Sequence, residues 1–356
     1  MTISIKDAVS KRLRLASRWL CVPIVGFSGL LALPNDTGAE EWNQAGAPGQ
    51  RQSLDDAWWT GPIVAAGAGT LPQGRTLVEP YLYDAIRYGR YDRDGDERSA
   101  STEHRYGSLT YILHGVTDRF TIGLIPTFGF NDVRDGADSS GVQVGDVTVQ
   151  GQYRLSQFQE GSAIPTTSLV IQQTLPTGKY DRLGADVNDG LGAGAYSTTL
   201  ALYSQYYFWL PNGRILRSRF NLSYALSDDV DVEDVSVYGT SAGFRGTARP
   251  GDVYTINSAW EYSITRQWVF ALDFLYQHDA NTRLAGTQPN PVTGKAETLD
   301  ENFGSAWRFG VVPAIEYNFT GRVGVIFGAR WFAAGRNTSA TITPVVAINM
   351  VLGAAR

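Results

Sequence analysis

The chain has 356 residues, a net charge of −5, 18% charged residues, 39 Gly, 18 Tyr and one Cys. A lone cysteine excludes a disulfide framework, and the acidic balance argues against nucleic acid as a partner. A slightly negative mean hydropathy excludes a helical membrane protein.

Residues 1–39 read as a secretory signal. Lys6, Lys11, Arg12, Arg14 and Arg18 form a basic start, and an apolar run extends from Trp19 to Leu33. Thr37-Gly38-Ala39 then offers small residues at a cleavage point. The rival, an uncleaved anchor helix, is disfavoured because the run is short for a span. Cleavage would take Cys21 with it. It would also remove five basic and two acidic residues, leaving a mature chain of −8. Residues 40–74 are rich in Gly, Ala, Pro and Gln without a sustained period and read as a periplasmic lead-in, partly tucked into a lumen. Trp58 and Trp59 are its candidate anchors.

From Arg75 onward the pattern changes to alternation. On 266–278, Trp268, Phe270, Leu272, Phe274 and Tyr276 share one face, with Gln267, Val269, Ala271, Asp273 and Gln277 opposite. On 214–226, Leu216, Phe220, Leu222, Tyr224 and Leu226 oppose Arg217, Arg219, Asn221 and Ser223. Period 2 places such sets on opposite sides of a sheet. Twelve segments of this kind are predicted, near 75–90, 105–116, 119–131, 142–155, 165–177, 195–210, 213–226, 250–264, 266–278, 304–318, 321–333 and 340–353. No second stretch approaches the roughly 20 apolar residues of a membrane helix. Only helices and closed barrels satisfy every backbone polar group in lipid. The expected fold is therefore all-β: an antiparallel up-and-down transmembrane barrel of about twelve strands, spanning 75–356.

The connections agree. Thr117-Asp118, Pro211-Asn212-Gly213, Thr265 and Thr320-Gly321 are tight turns, whereas 91–104, 178–194, 227–249 and 279–303 are long links. Outer-membrane barrels alternate short periplasmic turns with long outer loops. Segment 156–164 is long for a periplasmic turn, and 334–339 is short for an outer loop. Phe120, Phe208, Trp209, Trp268, Tyr317 and Phe319 sit beside the short turns. Tyr88, Tyr91, Phe130, Tyr276, Trp307, Trp331 and Phe332 sit toward the other ends, as two interfacial bands require.

Little in the chain points to catalysis, metals or cofactors. His104, His114 and His278 lack metal-ligand spacing. His114 shares a face with Ser108, Thr110 and Ile112 that is read as facing the lumen, so a Ser108–His114 pair is the sole hydrolase candidate. Asp92, Asp94 and Asp96 resemble a calcium loop, but Gly95 falls inside the triplet and no bidentate Glu follows. Asp228, Asp229, Asp231, Glu233 and Asp234 form an acidic run, usual for a solvated loop and the one candidate for a weak divalent-ion site near lipopolysaccharide. The pore-lining candidates are Asp146, Arg154, Arg217, Arg219, Glu261, Asp273, Arg308, Glu316 and Arg330. On the lipid face an Arg near mid-bilayer costs about 2–4 kcal/mol, so these side chains should point inward. Asp273, Glu261 and Glu316 are the expected partners of Arg217 and Arg219. An inert brace and a field across the pore are both open to such a network.

Three blocks resemble the MetA-pathway of phenol degradation family of outer-membrane proteins. They are Asp56-Ala57-Trp58-Trp59-Thr60-Gly61-Pro62 running on to Glu79-Pro80-Tyr81-Leu82-Tyr83-Asp84; Gly145-Asp146-Val147-Thr148 with Gln152-Tyr153-Arg154-Leu155; and Leu175-Pro176-Thr177-Gly178-Lys179-Tyr180-Asp181. The resemblance implies an outer-membrane channel or facilitator for small, hydrophobic or aromatic solutes, with Asp146 and Arg154 as matched lumen positions. Its partners would be the solute, outer-membrane lipid with lipopolysaccharide, and the barrel-assembly machinery. The alternatives are a structural or surface-binding barrel and a lipid-acting barrel enzyme. The ending Leu352-Gly353-Ala354-Ala355-Arg356 departs from the terminal aromatic common in such barrels.

Overall fold

A computed structural model describes residues 51–133, 136–290 and 293–353. The predicted signal, 1–39, and the first part of the lead-in lie outside the described residues. The strands are β1 (Thr76–Tyr91), β2 (Glu97–Thr117), β3 (Phe120–Ile125), β4 (Thr127–Val133), β5 (Gln143–Val144), β6 (Val147–Ser156), β7 (Thr166–Leu175), β8 (Ser197–Trp209) and β9 (Ile215–Ser227). They continue as β10 (Val230–Glu233), β11 (Arg245–Arg249), β12 (Val253–Ser263), β13 (Trp268–Asp279), β14 (Arg283–Pro289), β15 (Ala296–Asn302), β16 (Ala306–Thr320), β17 (Val323–Arg336) and β18 (Thr338–Leu352).

Each long strand pairs antiparallel with its neighbours in the chain, and β1 also pairs with β18, from Thr76↔Leu352 to Tyr91↔Thr338. The sheet is thereby a closed antiparallel barrel of twelve strands, as expected. β3 and β4 are two halves of one barrel strand, both paired with β2. They part at Pro126, which has no N–H for the ladder, although its carbonyl still accepts from Thr110 N–H at 3.2 Å. The twelve predicted segments each correspond to one barrel strand.

Local chemistry sets the tight ends. Gly213, at φ 79°, turns the chain between β8 and β9. Thr265 Oγ1 accepts from Gln267 and Trp268 N–H between β12 and β13, and Thr320 Oγ1 accepts from Arg322 and Val323 N–H between β16 and β17. Asn337, at φ 51°, makes the turn from β17 to β18.

Three of the long links differ from expectation. Residues 91–104 are mostly strand: β1 and β2 run on to a turn at 92–96. There Asp92 Oδ1 accepts from the Asp94 and Asp96 amides at 3.0 Å, and Arg98 Nε donates to Oδ2 at 2.9 Å. The Arg98 hydrogen bond holds the Asp92 carboxyl below its usual range. The triplet is thus a turn with its own cation. Links 227–249 and 279–303 contain β10, β11, β14 and β15, which form a second, four-stranded sheet. Val232, Phe244, Ala248 and Leu284 are its buried core. The acidic run finds bases from elsewhere in the chain: Arg182 bonds Glu233 at 2.7 Å and Arg249 approaches Asp229 at 3.5 Å. In link 176–196, Ser140 donates its hydroxyl and amide to Asp189, which holds that carboxyl low. Among the described residues, no cluster of acids, histidines or cysteines could hold a metal ion.

The outer face is apolar: Leu82, Ile171, Leu200, Phe220, Phe327 and Ile348 are all exposed. Phe208, Trp268 and Phe319 lie at its short-turn end, and Trp331 and the stacked Tyr276–Trp307 pair at the other. Tyr91, Phe332 and Trp209 leave the expected bands. Tyr91 and Phe332 are buried, and Trp209 Nε1 donates to the Gln52 carbonyl. The face carrying Ser108, Thr110, Ile112 and His114 is corrected too. Ser108 pairs with exposed Leu82, and Ile112 is itself exposed, so this set faces outward. His114 Nδ1 lies 2.9 Å from Thr76 Oγ1, whereas Ser108 lies six residues, about 20 Å, along the same strand.

The long links, with the 92–96 turn, cluster at one end of the barrel. By the rule for such barrels that end faces the cell exterior. Epitope tags in 178–194 or 280–303 should be reached by antibody on intact cells, and a tag at Asn212 only after permeabilisation. The reverse pattern would invert the topology.

A charged cluster and an inner segment inside the barrel

Strand alternation puts Arg217, Arg219 and Asn221 on the inner face of β9, directly opposite Glu261, Ala259 and Asn257 of β12. Glu261 has no exposed surface. It accepts from Arg217 Nε at 2.6 Å and from Arg219 Nε at 3.0 Å, and Arg217 Nη2 closes a second bond to its other oxygen. One carboxylate thus serves two guanidiniums in a fork geometry.

The remaining charge is met by residues 52–71, which run inside the wall. Gln52 N–H donates to the Gly213 carbonyl and Trp58 N–H to that of Arg266, both at the short-turn end. The segment then climbs. Glu316 accepts from Thr60 N–H at 2.8 Å and Gly61 N–H at 3.1 Å. Asp273, midway along β13, accepts from Ala65 N–H at 3.0 Å. Arg219 Nη1 donates to the Ala65 carbonyl at 2.8 Å, and Asn221 to that of Ala66 at 2.9 Å. Descending again, the Ala68 carbonyl accepts from Ser168 Oγ at 2.6 Å, and Leu71 N–H donates to Thr121 Oγ1 at 3.0 Å. Strand β1 follows.

The local sequence explains the fit. Gly61 sits at φ 120°, a conformation side chains avoid, and a Cβ there would stand 3.1 Å from Arg219 Nη2. On the wall, a Cβ at Gly324 would come within 2.0 Å of Thr60 Oγ1, and one at Gly328 within 2.6 Å of Ile63 Cδ1. Trp59 lies under Arg217, whose Cζ is 4.3 Å from the ring centroid.

Of the expected residues, the structure gathers Arg217, Arg219, Glu261, Asp273 and Glu316 around this segment. Only Glu261 pairs with the two arginines; Asp273 and Glu316 bind backbone amides instead. Arg308 and Arg330 lie apart, flanking Phe332 with Cζ at 5.0 and 5.2 Å from its centroid. Asp146 stands just before β6, where it accepts from the Gly178 and Ala193 amides at 3.0 and 2.8 Å and ties down link 176–196. Arg154 shares the face of Gln152, near the short-turn end, away from the cluster. Sequence reasoning missed Glu79, Asn257 and Thr343 on the inner face, and it named Trp59 only as an anchor of the lead-in, not as the ring beneath Arg217. Glu79 was within reach, because it alternates with Tyr81 and Tyr83.

A closed barrel of this size, apolar outside and charged within, is a transmembrane barrel of the bacterial outer membrane. Residues 86–343 match the model of the family described as "Putative MetA-pathway of phenol degradation", and the chain belongs to that family. The fold is similar to that of the COG4313 outer membrane channel from Pseudomonas putida F1, with a TM-score of 0.61 and 15% identity over 82% of this chain and 100% of that one. Weaker similarity extends to the Ralstonia pickettii toluene transporter TbuX, with a TM-score of 0.35 and 11% identity over 84% and 95% of the two chains. The Pseudomonas putida toluene transporter TodX gives 0.38 and 13% over 83% and 95%. No match is found among curated proteins.

Proposed function

We propose that the protein is an outer-membrane channel for small hydrophobic or aromatic solutes, narrowed by its own residues 52–71. The observation that carries this reading is the inner segment, pinned to Glu316, Asp273 and Arg219. Eight-stranded barrels are filled by side chains and sixteen-stranded ones leave an aqueous channel. Twelve strands with an inner segment leave a narrow path suited to selective passage. Family membership and the toluene transporters among the fold relatives support the aromatic class. Outer-membrane lipid, lipopolysaccharide and the barrel-assembly machinery are the further partners this reading requires.

Proteoliposomes carrying the purified chain should take up phenol-sized aromatics faster than empty vesicles. Planar bilayers should show conductance below that of a sixteen-stranded porin. Flux equal to that of empty vesicles would overturn the reading. A surface-binding barrel would then be favoured, its binding element the second sheet of β10, β11, β14 and β15. A lipid-acting enzyme is disfavoured by the separation of Ser108 from His114.

A further inference from the structure

The two groups of inner-face arginines are treated differently by the fold. Arg217 and Arg219 share Glu261, whereas Arg308 and Arg330 make no ion pair or side-chain hydrogen bond among the described residues, and the Nε of each is buried without a partner. A buried donor left unsatisfied is destabilising, more so when charged. Both guanidiniums lie about 5 Å from the centre of one ring, Phe332, so their separation does not exceed roughly one Debye length, about 10 Å at 0.1 M salt. Asp279, an acid whose charge reaches Arg308, is already engaged by Gln277 Nε2 at 2.6 Å. Tyr83 of β1 and buried Thr343, opposite Arg330 on β18, border the same niche. Thr343 Oγ1 also lacks a partner.

The niche has a definite height. On β17 the inner face reads Gly324, Ile326, Gly328, Arg330, Phe332 toward the long-link end, and Ile63 of the inner segment reaches Gly328. Arg330 is the next inner residue. A solute arriving from the long-link end therefore meets Arg308, Arg330 and Phe332 before it meets the inner segment.

We infer that Arg308 and Arg330 form a binding site for a small carboxylate, which takes the two guanidiniums on the long-link side of the inner segment. Two cations without an ion-pair partner among the described residues supply the demand for an anion. The hydroxyls of Tyr83 and Thr343 supply further hydrogen-bond partners. The inference deepens the channel reading and rests on it for its role in passage, but binding itself is measurable without transport.

The test uses the full chain in detergent, with folding checked by heat-modifiable gel mobility, and titrates benzoate, benzyl alcohol, acetate and inorganic phosphate by calorimetry. Wild-type protein should bind benzoate and acetate more tightly than uncharged benzyl alcohol. Arg308→Gln or Arg330→Gln should weaken benzoate about tenfold or more, the usual scale for a charge-assisted bond, with benzyl alcohol unchanged. If a Gln variant fails to fold, Arg308→Lys and Arg330→Lys keep the charge and take its place; a monodentate ammonium should still cost affinity. Unchanged benzoate affinity in the folded double variant overturns the site. Benzyl alcohol bound as tightly as benzoate, or phosphate bound more tightly than either carboxylate, overturns the carboxylate assignment. Benzoate binding as expected in a protein that passes no solute retains the site and defeats the channel reading.

Discussion

Glu261→Gln should be among the most damaging single substitutions in the barrel. Glu261 is fully buried and, among the described residues, is the one carboxylate bonded to both Arg217 and Arg219. Neutralising it leaves two guanidiniums uncompensated, and breaking a buried pair from one side typically costs about 3–5 kcal/mol. Glu316, whose Oε2 takes the Thr60 and Gly61 amides, makes no hydrogen bond to either arginine. The measurement is urea unfolding in lipid vesicles, followed by heat-modifiable mobility. The triple variant Arg217→Leu, Arg219→Leu, Glu261→Leu should recover much of the loss, since replacing a whole buried ion cluster by apolar residues is often neutral. A Glu261→Gln midpoint equal to wild type would mean that the cluster is hydrated and braces nothing.

Deleting residues 52–71 should give the largest functional change. The segment crosses the lumen and is bonded to the wall at Thr121, Ser168, Arg219, Asp273 and Glu316. Without it those groups face water, so the barrel should persist with somewhat lower stability. Single-channel conductance should rise several-fold and discrimination among solutes should fall. Gly324→Ala offers a milder form. Its Cβ would stand 2.0 Å from Thr60 Oγ1 and 2.7 Å from Asn318 Oδ1, forcing the segment off its seat while the sheet stays paired. If the deleted and wild-type channels conducted alike, the segment would not be the constriction.

The barrel was legible because lipid outside and charge inside impose period 2, and β9, β13 and β16 carry that pattern without interruption. The second sheet was not legible. Val230–Glu233 and Arg245–Arg249 are too short and polar to stand apart from loop sequence, and they form a sheet by pairing with each other and, through β11, with β14 of a distant link. The inner charges were readable from alternation alone, and so was Glu261 as partner of Arg217 and Arg219, but the partners of the other two acids were not. Asp273 and Glu316 looked like counter-ions to arginine, yet backbone amides of an aperiodic segment take them. Such a segment signals itself only by small residues, here Gly61, Ala65, Ala66, Gly67, Ala68 and Gly69. Outward and inward were exchanged at His114, because a strand carrying serine and threonine on one face and leucine and tyrosine on the other has two moderately polar sides.

The seam between β1 and β18 also dictates when the molecule can be finished. Thr76 bonds to the strand that ends at Leu352, so the ring cannot shut until the last strand has been made and delivered. Contacts of this sequence separation are slow to form, because chain entropy is lost before they stabilise anything. Residues 52–71 are made before any strand, yet their partners Asp273 and Glu316 arrive late. They must wait at the mouth and be enclosed as the final strands swing in, for threading them through a completed ring would mean exposing Glu261 and its two arginines again. Closure around a segment already in place should therefore be the slow step of assembly, and early release of the chain should yield an open sheet with its first and last edges unsatisfied.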